Sequence, residues 1–261
     1  MSYETINVTT DRRGVATLTL DRADKHNSLS SQMIAEITQA AEALGADRAV
    51  RVVVITGQGG SFCAGADLGW MRAQMEADPE TRFHEARKLA IMLRTLNDLP
   101  KPLVGRLQGQ AFGGGVGIAC VCDIAIAADH ALFGFTETRL GLIPATIGPY
   151  VIARIGEGKA RRVFMNSRRF GADEAARLDI IAAAVPAEDL DAAIEAEVAP
   201  YLSCAPGAVA ASKRLARRLG PPLTDEIMDD TIRALVATWE GAEAQDGIAA
   251  FFDKRRPDWV Q

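Results

Sequence analysis

The sequence predicts an α/β protein followed by a helical C-terminal region, and three observations lead there. Residues 52–56 (VVVIT) form an unbroken apolar run closed by Gly57, the pattern of a strand buried on both faces. Strand-like and helix-like segments alternate through the first half of the chain. From about Glu188 onward only helix-like segments remain.

The elements follow in order. Residues 15–20 are β-branched and alternating, as in a strand. Ser30 or Ser31 caps a helix running to about Leu44, with Met33, Ile37, Ala40, Ala41 and Leu44 on one face, so residues 15–56 read as a βα repeat. A second helix over residues 80–99 stops at Pro100 and Pro102, and residues 103–107 form a strand leading into a glycine cluster. Further strands are expected over 123–127 and 131–133. Helices are then expected over 190–202, 206–219, 223–239 and 242–255, punctuated by Pro200, Pro206, Pro221 and Pro222. The chain therefore divides into residues 1–187 and residues 188–261, with no internal repeat and no low-complexity segment.

With 261 residues the chain is one large domain or one and a half, long enough to need no disulfide or metal staple. Apolar residues make up 48% and charged residues 24%, the balance of a globular enzyme-sized protein. Lys plus Arg at 29 against Asp plus Glu at 34 gives 29 − 34 = −5, which argues against a nucleic-acid or basic membrane-surface partner. Acidic ligands must be held by local groups. The N-terminal stretch lacks the basic-then-apolar pattern of a signal peptide, and the apolar run over 111–122 is too short for a bilayer, so a cytoplasmic protein with no membrane partner is expected. Cys63, Cys120, Cys122 and Cys204 show no C-x-x-C spacing, and His26, His84 and His130 have no second ligand at helical spacing. Neither a metal site nor a disulfide is expected, and all four cysteines read as reduced and structural.

Three segments set glycine beside groups able to do chemistry: SFCAGADLGWM (61–71), AFGGGVGIACVCD (111–123) and FGFTETRLGLIP (133–144). A dinucleotide loop starting at Gly57 would need glycine at 62, which is Phe62, and there is no G-K-[ST] for a P-loop. Gly113, Gly114 and Gly115 at a helix start offer something else: room for a ligand, and free N–H groups aimed at developing negative charge. A glycine-rich turn packed closely on its neighbours is the plainer alternative for the triplet alone.

In this order and spacing, the three segments resemble the enoyl-CoA hydratase/isomerase (crotonase) family, whose pattern joins a C/A-A-G-A-D loop, a GGG helix start and F-G-x-x-E-x-x-L-G-x-x-P. The likeness runs from the first strands to FFDKRRPDW (251–259). It implies a spiral of ββα units over 1–187, and over 188–261 a helical region that builds homotrimers or dimers of trimers and covers coenzyme A. It implies an acyl-CoA substrate and no separate cofactor, coenzyme A being part of the substrate. Ala66 and Gly114 match the two backbone N–H donors that polarise the thioester carbonyl. Ala64, Asp67, Leu68 and Gly117 fall among the substrate-binding positions; Lys25 and Lys254 match groups for the coenzyme A phosphates, and Phe251 one flanking the adenine.

The archetypal hydratase of the family carries two glutamates, and here the first position is Gly117 while the second is Glu137. One carboxylate suffices for hydration if the same water supplies hydroxyl and proton; it also suffices for a Δ3,Δ2-enoyl-CoA isomerase, so Gly117 leaves both open. SFCAGADLGWM together with I-G-P-Y (147–150) is similar to the methylglutaconyl-CoA and isohexenylglutaconyl-CoA hydratase group. Such acyl groups carry a distal carboxylate, for which Arg72, Arg82 and Arg139 are candidate partners. The family also contains an RNA-binding member with a lysine-rich helix, but residues 31–51 here set Arg48 and Arg51 against Glu36, Glu42 and Asp47, so no basic stripe forms. Another crotonase-type acyl-CoA reaction, or a silent binder of coenzyme A esters, is the remaining alternative. A serine hydrolase is disfavoured because no G-x-S-x-G elbow occurs.

Overall fold

Each turn of the chain through the first half leaves one strand in a large sheet and one in a small sheet before a helix brings it back. A computed structural model describes residues 3–261. The elements run β1 (Ile6–Thr10), β2 (Val15–Leu20), α1 (Ser31–Ala46), β3 (Val52–Gly57), β4 (Ser61–Cys63), α2 (Leu68–Glu76), α3 (Pro79–Asn97), β5 (Leu103–Leu107), β6 (Gln110–Phe112) and α4 (Gly114–Val121). They continue as β7 (Ile124–Ala128), β8 (Leu132–Gly134), α5 (Gly148–Phe164), β9 (Phe170–Gly171), α6 (Ala172–Arg177), β10 (Ala183–Val185), α7 (Leu190–Leu202), α8 (Pro206–Leu219), α9 (Asp225–Trp239) and α10 (Ala242–Asp253). The six-stranded sheet has the order β1-β2-β3-β5-β7-β10 and the four-stranded sheet β4-β6-β8-β9. Only the β1–β2 and β8–β9 pairs are antiparallel. The pairs β3–β4, β5–β6 and β7–β8, each followed by helix, are the expected ββα units.

Local chemistry explains the elements that the sequence foreshadows. The Ser30 hydroxyl accepts from the Met33 N–H to start α1, whose buried face includes Met33, Ile37, Ala40, Ala41 and Leu44. Asp78 caps α3 through the Thr81 N–H, with Pro79 in its first turn, so the helix starts one residue earlier and ends two earlier than expected. All six residues of β3 are buried, and α7 explains why: Leu190, Ile194 and Val198 cover Val15, Val52, Val54, Val104, Ile126 and Ala128 on the sheet's second face. Although it lies beyond residue 187, α7 thus packs as part of the core layer. The other face meets α1, α3 and α4 in the main core. The short helix α2 has no visible period in the sequence because it buries only Met71 and Gln74.

Cys63, Cys120 and Cys122 are free and buried, and burial pushes each thiol up to about 12. Cys204 is exposed, so the expectation of a structural role fails for this one thiol. It follows α7, where no packed layer covers it. No helix among the described residues is long and apolar enough to cross a membrane.

One buried side chain fixes the loops that lead to the glycine segments. Asn27 is fully buried at φ +53°, a conformation that asparagine tolerates. Its amide donates to the carbonyls of Gln58 (2.9 Å) and Ser61 (2.8 Å), and its oxygen accepts from the Arg22 N–H (2.9 Å). Asn27→Ala would leave the Arg22 N–H and the Gln58 carbonyl without this partner, while the Ser61 carbonyl keeps Gln108 Nε2 at 2.8 Å, and a loss of about 2 kcal/mol in denaturant unfolding is expected.

Candidate functional site

The three glycine segments meet at the start of α4. Gly65 at φ +92° and Gly113 at φ +48° adopt backbone conformations that side chains rarely reach, and this allows the close approach. A Cβ on Gly65 would lie 3.0 Å from the Phe112 carbonyl oxygen. A Cβ on Gly113 would lie 3.0 Å from Glu137 Oε1 and 4.0 Å from the Gly65 Cα. The loop 64–67, the first turn of α4 and the Glu137 carboxylate are therefore neighbours.

Two amides at this junction have nothing to donate to. Ala66 pairs with Leu29 in an isolated parallel bridge: the Leu29 N–H donates to Gly65 O at 2.8 Å, and the Asp67 N–H donates to Leu29 O at 3.1 Å. The bridge uses the groups on either side and leaves the Ala66 N–H with no acceptor among the described residues. Gly114 is the first residue of α4, where the helix supplies no carbonyl, and its N–H is likewise unengaged. Each donor sits where partial positive charge is already concentrated or unopposed. Leu29 is a residue the sequence gives no sign of, yet it sets the Ala66 amide and reaches 2.7 Å from where a Cβ on Gly114 would lie.

The acid beside them is unusual in its surroundings. Glu137 opens the short 3-10 turn Glu137–Leu140, and its Oε2 is buried with no hydrogen-bond partner. Burial pushes its carboxyl up to about 7, against a smaller opposing pull from the nearby Glu137 and Thr136 N–H groups. Gly117 lies one turn along α4, and the side chain of Ile147 occupies its open side: Cγ2 would be 2.7 Å from a Cβ there. No second carboxylate enters from that position.

Around this centre the remaining expected residues separate into two groups. The Ala64 N–H donates to the His26 carbonyl at 3.0 Å, which pins the turn bearing the exposed Lys25 against the loop, and Leu68 is exposed beside them. The Asp67 carboxylate is engaged internally: it accepts from the N–H groups of Gly69 (2.8 Å) and Trp70 (3.1 Å) and pairs with Arg22 (2.9 Å). Burial raises its pKa, but the Trp70 N–H and Arg22 outweigh that and hold it below the ordinary carboxylate range. Asp67 thus shapes the loop and starts α2. Phe251 and Lys254 lie elsewhere, lining a cavity of about 520 Å³ with Arg139, Leu140, Arg256 and Trp259 that includes none of Lys25, Ala64, Asp67 or Leu68.

The three candidate arginines also differ. Arg82 is committed to structure: its Nε donates to the Gln74 carbonyl at 2.7 Å, it pairs with Glu240, and its guanidinium lies 5.6 Å from the Trp239 ring. Arg72 stacks 4.6 Å over Phe252, and neither it nor the exposed Arg139 has a carboxylate partner among the described residues. No cluster of metal-ligating side chains occurs among the described residues.

Residues 10–261 match a family model described as enoyl-CoA hydratase/isomerase. A Mycobacterium bovis protein named as a probable enoyl-CoA hydratase is 34% identical over 100% of this chain and 99% of its own length. A crystal structure of an enoyl-CoA hydratase from Shewanella pealeana is 38% identical with a TM-score of 0.81, covering 98% of this chain and 96% of that one. Another, from Mycobacterium avium, is 28% identical with a TM-score of 0.86, covering 99% and 100%.

The buried acid carries a stability cost whose sign is fixed by linkage. Its pKa in the folded chain, about 7, lies above its ordinary value of 4.5, so the folded state holds the proton more tightly. Stability is greatest below the ordinary value and is lost as pH rises through the folded one. Glu137→Gln removes the charge, so it is expected to gain stability over wild type between pH 5 and 8, reaching about 3 kcal/mol, as read by paired denaturant melts.

Proposed function

The chain belongs to the enoyl-CoA hydratase/isomerase family, and we propose that its reaction is the addition of water to an α,β-unsaturated acyl-CoA thioester. The observation that carries this reading is a carboxyl group whose Oε2 is buried without a partner beside two backbone N–H groups with no acceptor among the described residues. In the proposed reaction the N–H groups of Ala66 and Gly114 donate to the thioester oxygen. Glu137, ionised, takes a proton from water as the water oxygen bonds to Cβ; the C=C electrons move toward the carbonyl to give an enolate held by the two donors. Glu137 then returns that proton to Cα, and both elements of one water have been added with the carboxylate regenerated. Two preorganised donors of this kind are each worth about 3–4 kcal/mol in the transition state. A carboxyl pushed to about 7 can both accept and return a proton at neutral pH.

We assign Lys25, Ala64 and Leu68 to the coenzyme A path, with Asp67 shaping the loop that lines it. Phe251 and Lys254 are assigned to the adenine and phosphates of a neighbouring subunit's ligand in a trimer built through the last helices. Their seat in a separate cavity supports that division. No cofactor beyond the substrate's own coenzyme A enters the reaction. For the acyl group we propose a branched glutaconyl type, 3-methylglutaconyl or isohexenylglutaconyl, on the strength of Gly117 and the 147–150 segment. Arg72 remains as a partner for its distal carboxylate, since Arg82 is already occupied and Arg139 lines the separate cavity with Phe251 and Lys254.

A second reading is favoured by one observation, that Ile147 fills the side of α4 from which another acid would reach the site. A lone carboxylate fits a Δ3,Δ2-enoyl-CoA isomerase, in which the same base removes a proton from one carbon and replaces it two carbons away. An assay with crotonyl-CoA, 3-methylglutaconyl-CoA and a 3-enoyl-CoA separates the two. Hydration removes the conjugated absorbance and adds one water in mass; isomerisation of the 3-enoyl ester creates that absorbance with no change in mass.

Two outcomes are expected from the same assay. kcat/KM should rise through an apparent pKa near 7, because Glu137 must be ionised to act, and Glu137→Gln should lower it by about 10²–10⁴-fold while acyl-CoA still binds. Gly114→Pro deletes one donor and also presses on Leu29, whereas Gly114→Ala adds a Cβ there but keeps the N–H; the proline variant should cost about 10²–10³-fold in kcat beyond the alanine variant. Retention of the wild-type rate in a folded variant would remove that residue from the mechanism.

A further inference from the structure

Gly117 and Ile147 share one volume, and the way they share it bears on which acyl groups can lie beside Glu137. The segment 137–147 begins with the acid next to Gly113 and ends with Ile147 against Gly117, so its two ends straddle the first turns of α4. Four residues of helix separate these contacts, about 6 Å along the axis. Ile147 is 3% exposed, and its Cγ2 and Cβ would lie 2.7 and 3.1 Å from a Cβ at 117; the next nearest atom, Leu93 Cδ1, is at 3.5 Å. Both close atoms of Ile147 belong to a β-branched centre, which has little rotameric freedom to withdraw. The glycine is thus matched to the isoleucine: a side chain at 117 displaces Ile147, and trimming Ile147 leaves room next to α4.

We propose that Ile147 is a specificity-determining residue, whose methyl group, seated in the space left by Gly117, closes the acyl end of the site one helical turn from Glu137 and limits the size of the acyl group accepted there. This rests on the acyl-CoA reading above and adds to it the side chain that sets the limit. Polar recognition elsewhere at the site is made largely by backbone groups, which are indifferent to acyl size, so discrimination falls to a fixed apolar wall. An extra methylene in such a pocket is typically worth about 10–200-fold.

Titration calorimetry with butyryl-CoA and octanoyl-CoA, saturated thioesters that bind without hydration, reads the size limit directly. In Ile147→Gly the ratio of the two affinities is expected to move about ten-fold or more toward octanoyl-CoA, and adding Gly117→Ala is expected to move it back by refilling the volume. Thermal melts give an independent control. Gly117→Ala should lower Tm with Ile147 in place, where the new methyl has no room, and raise it in the Ile147→Gly background, where alanine is simply the better helix former. A ratio unchanged within about two-fold in folded Ile147→Gly overturns the proposal, as does a Gly117→Ala shift of the same sign in both backgrounds. A wild-type protein that binds both thioesters but hydrates no enoyl-CoA would remove the hydration reading alone, with the affinity ratio still deciding the role of Ile147. Failure to bind either thioester would overturn both.

Discussion

Two backbone N–H groups without acceptors, Ala66 and Gly114, are the constraint around which the site is arranged. Unpaired amides at a loop junction cost free energy, and the chain tolerates them only because the groups on either side are so fully used. Leu29 bridges the neighbours of Ala66, Asp67 caps α2 and holds Arg22, and Asn27 ties the preceding loops together. The glycines at 65 and 113 supply the backbone conformations that let these loops touch. What remains free is the pair of N–H groups beside Glu137, because their neighbours are engaged.

The same close packing governs the acid. Glu137 Oε2 is buried without a hydrogen-bond partner, so its carboxyl is pushed up to about 7 by desolvation and not by a charged neighbour. That arrangement makes its protonation sensitive to the apolar groups around it, and the segment that carries it also carries Ile147. Glu137 and Ile147 are placed by one segment across one short helix, against Gly113 and Gly117.

The last helices are held by apolar packing, Met228 and Ile232 of α9 on Ala86 and Ala90 of α3 and Trp239, Ala244 and Ile248 on Met71 and Leu142, with ion pairs around it. Arg87 pairs with Asp229 at 3.0 Å, Arg94 with Asp225 and Arg82 with Glu240, all between α3 and the end-to-end length of α9 and its C-terminal cap. Exposed pairs of this type contribute little individually. Arg82 and Lys213 are the better shielded cations, each with only 11% of its side chain exposed; Lys213 reaches from α8 to Asp123 at 2.7 Å, and Asp123 also accepts from the Leu103 N–H. α3, which packs with α4 in the main core, also carries the arginines that pair with α9 and its cap.

The sequence by itself determined the elements whose causes are local. The unbroken apolar run of β3, the Ser30 cap and apolar face of α1, and Pro206 at the start of α8 all correspond to structure within a residue or two, whereas Pro200 lies inside the last turn of α7 and does not end it. The glycine segments and Glu137 were legible as well, because their spacing carries the family pattern. Tertiary structure alone decided what depends on neighbours distant in the chain. Arg82 looks in sequence like a free cation and is spent on Glu240 and the Gln74 carbonyl; Phe251 and Lys254 fall in a cavity apart from Lys25; Ile147 is one apolar residue among many until it meets Gly117. Periodicity and capping are properties of a few consecutive residues, whereas which volumes are shared and which charges are left over are set by contacts that exist only once the sheets and helices have closed on one another.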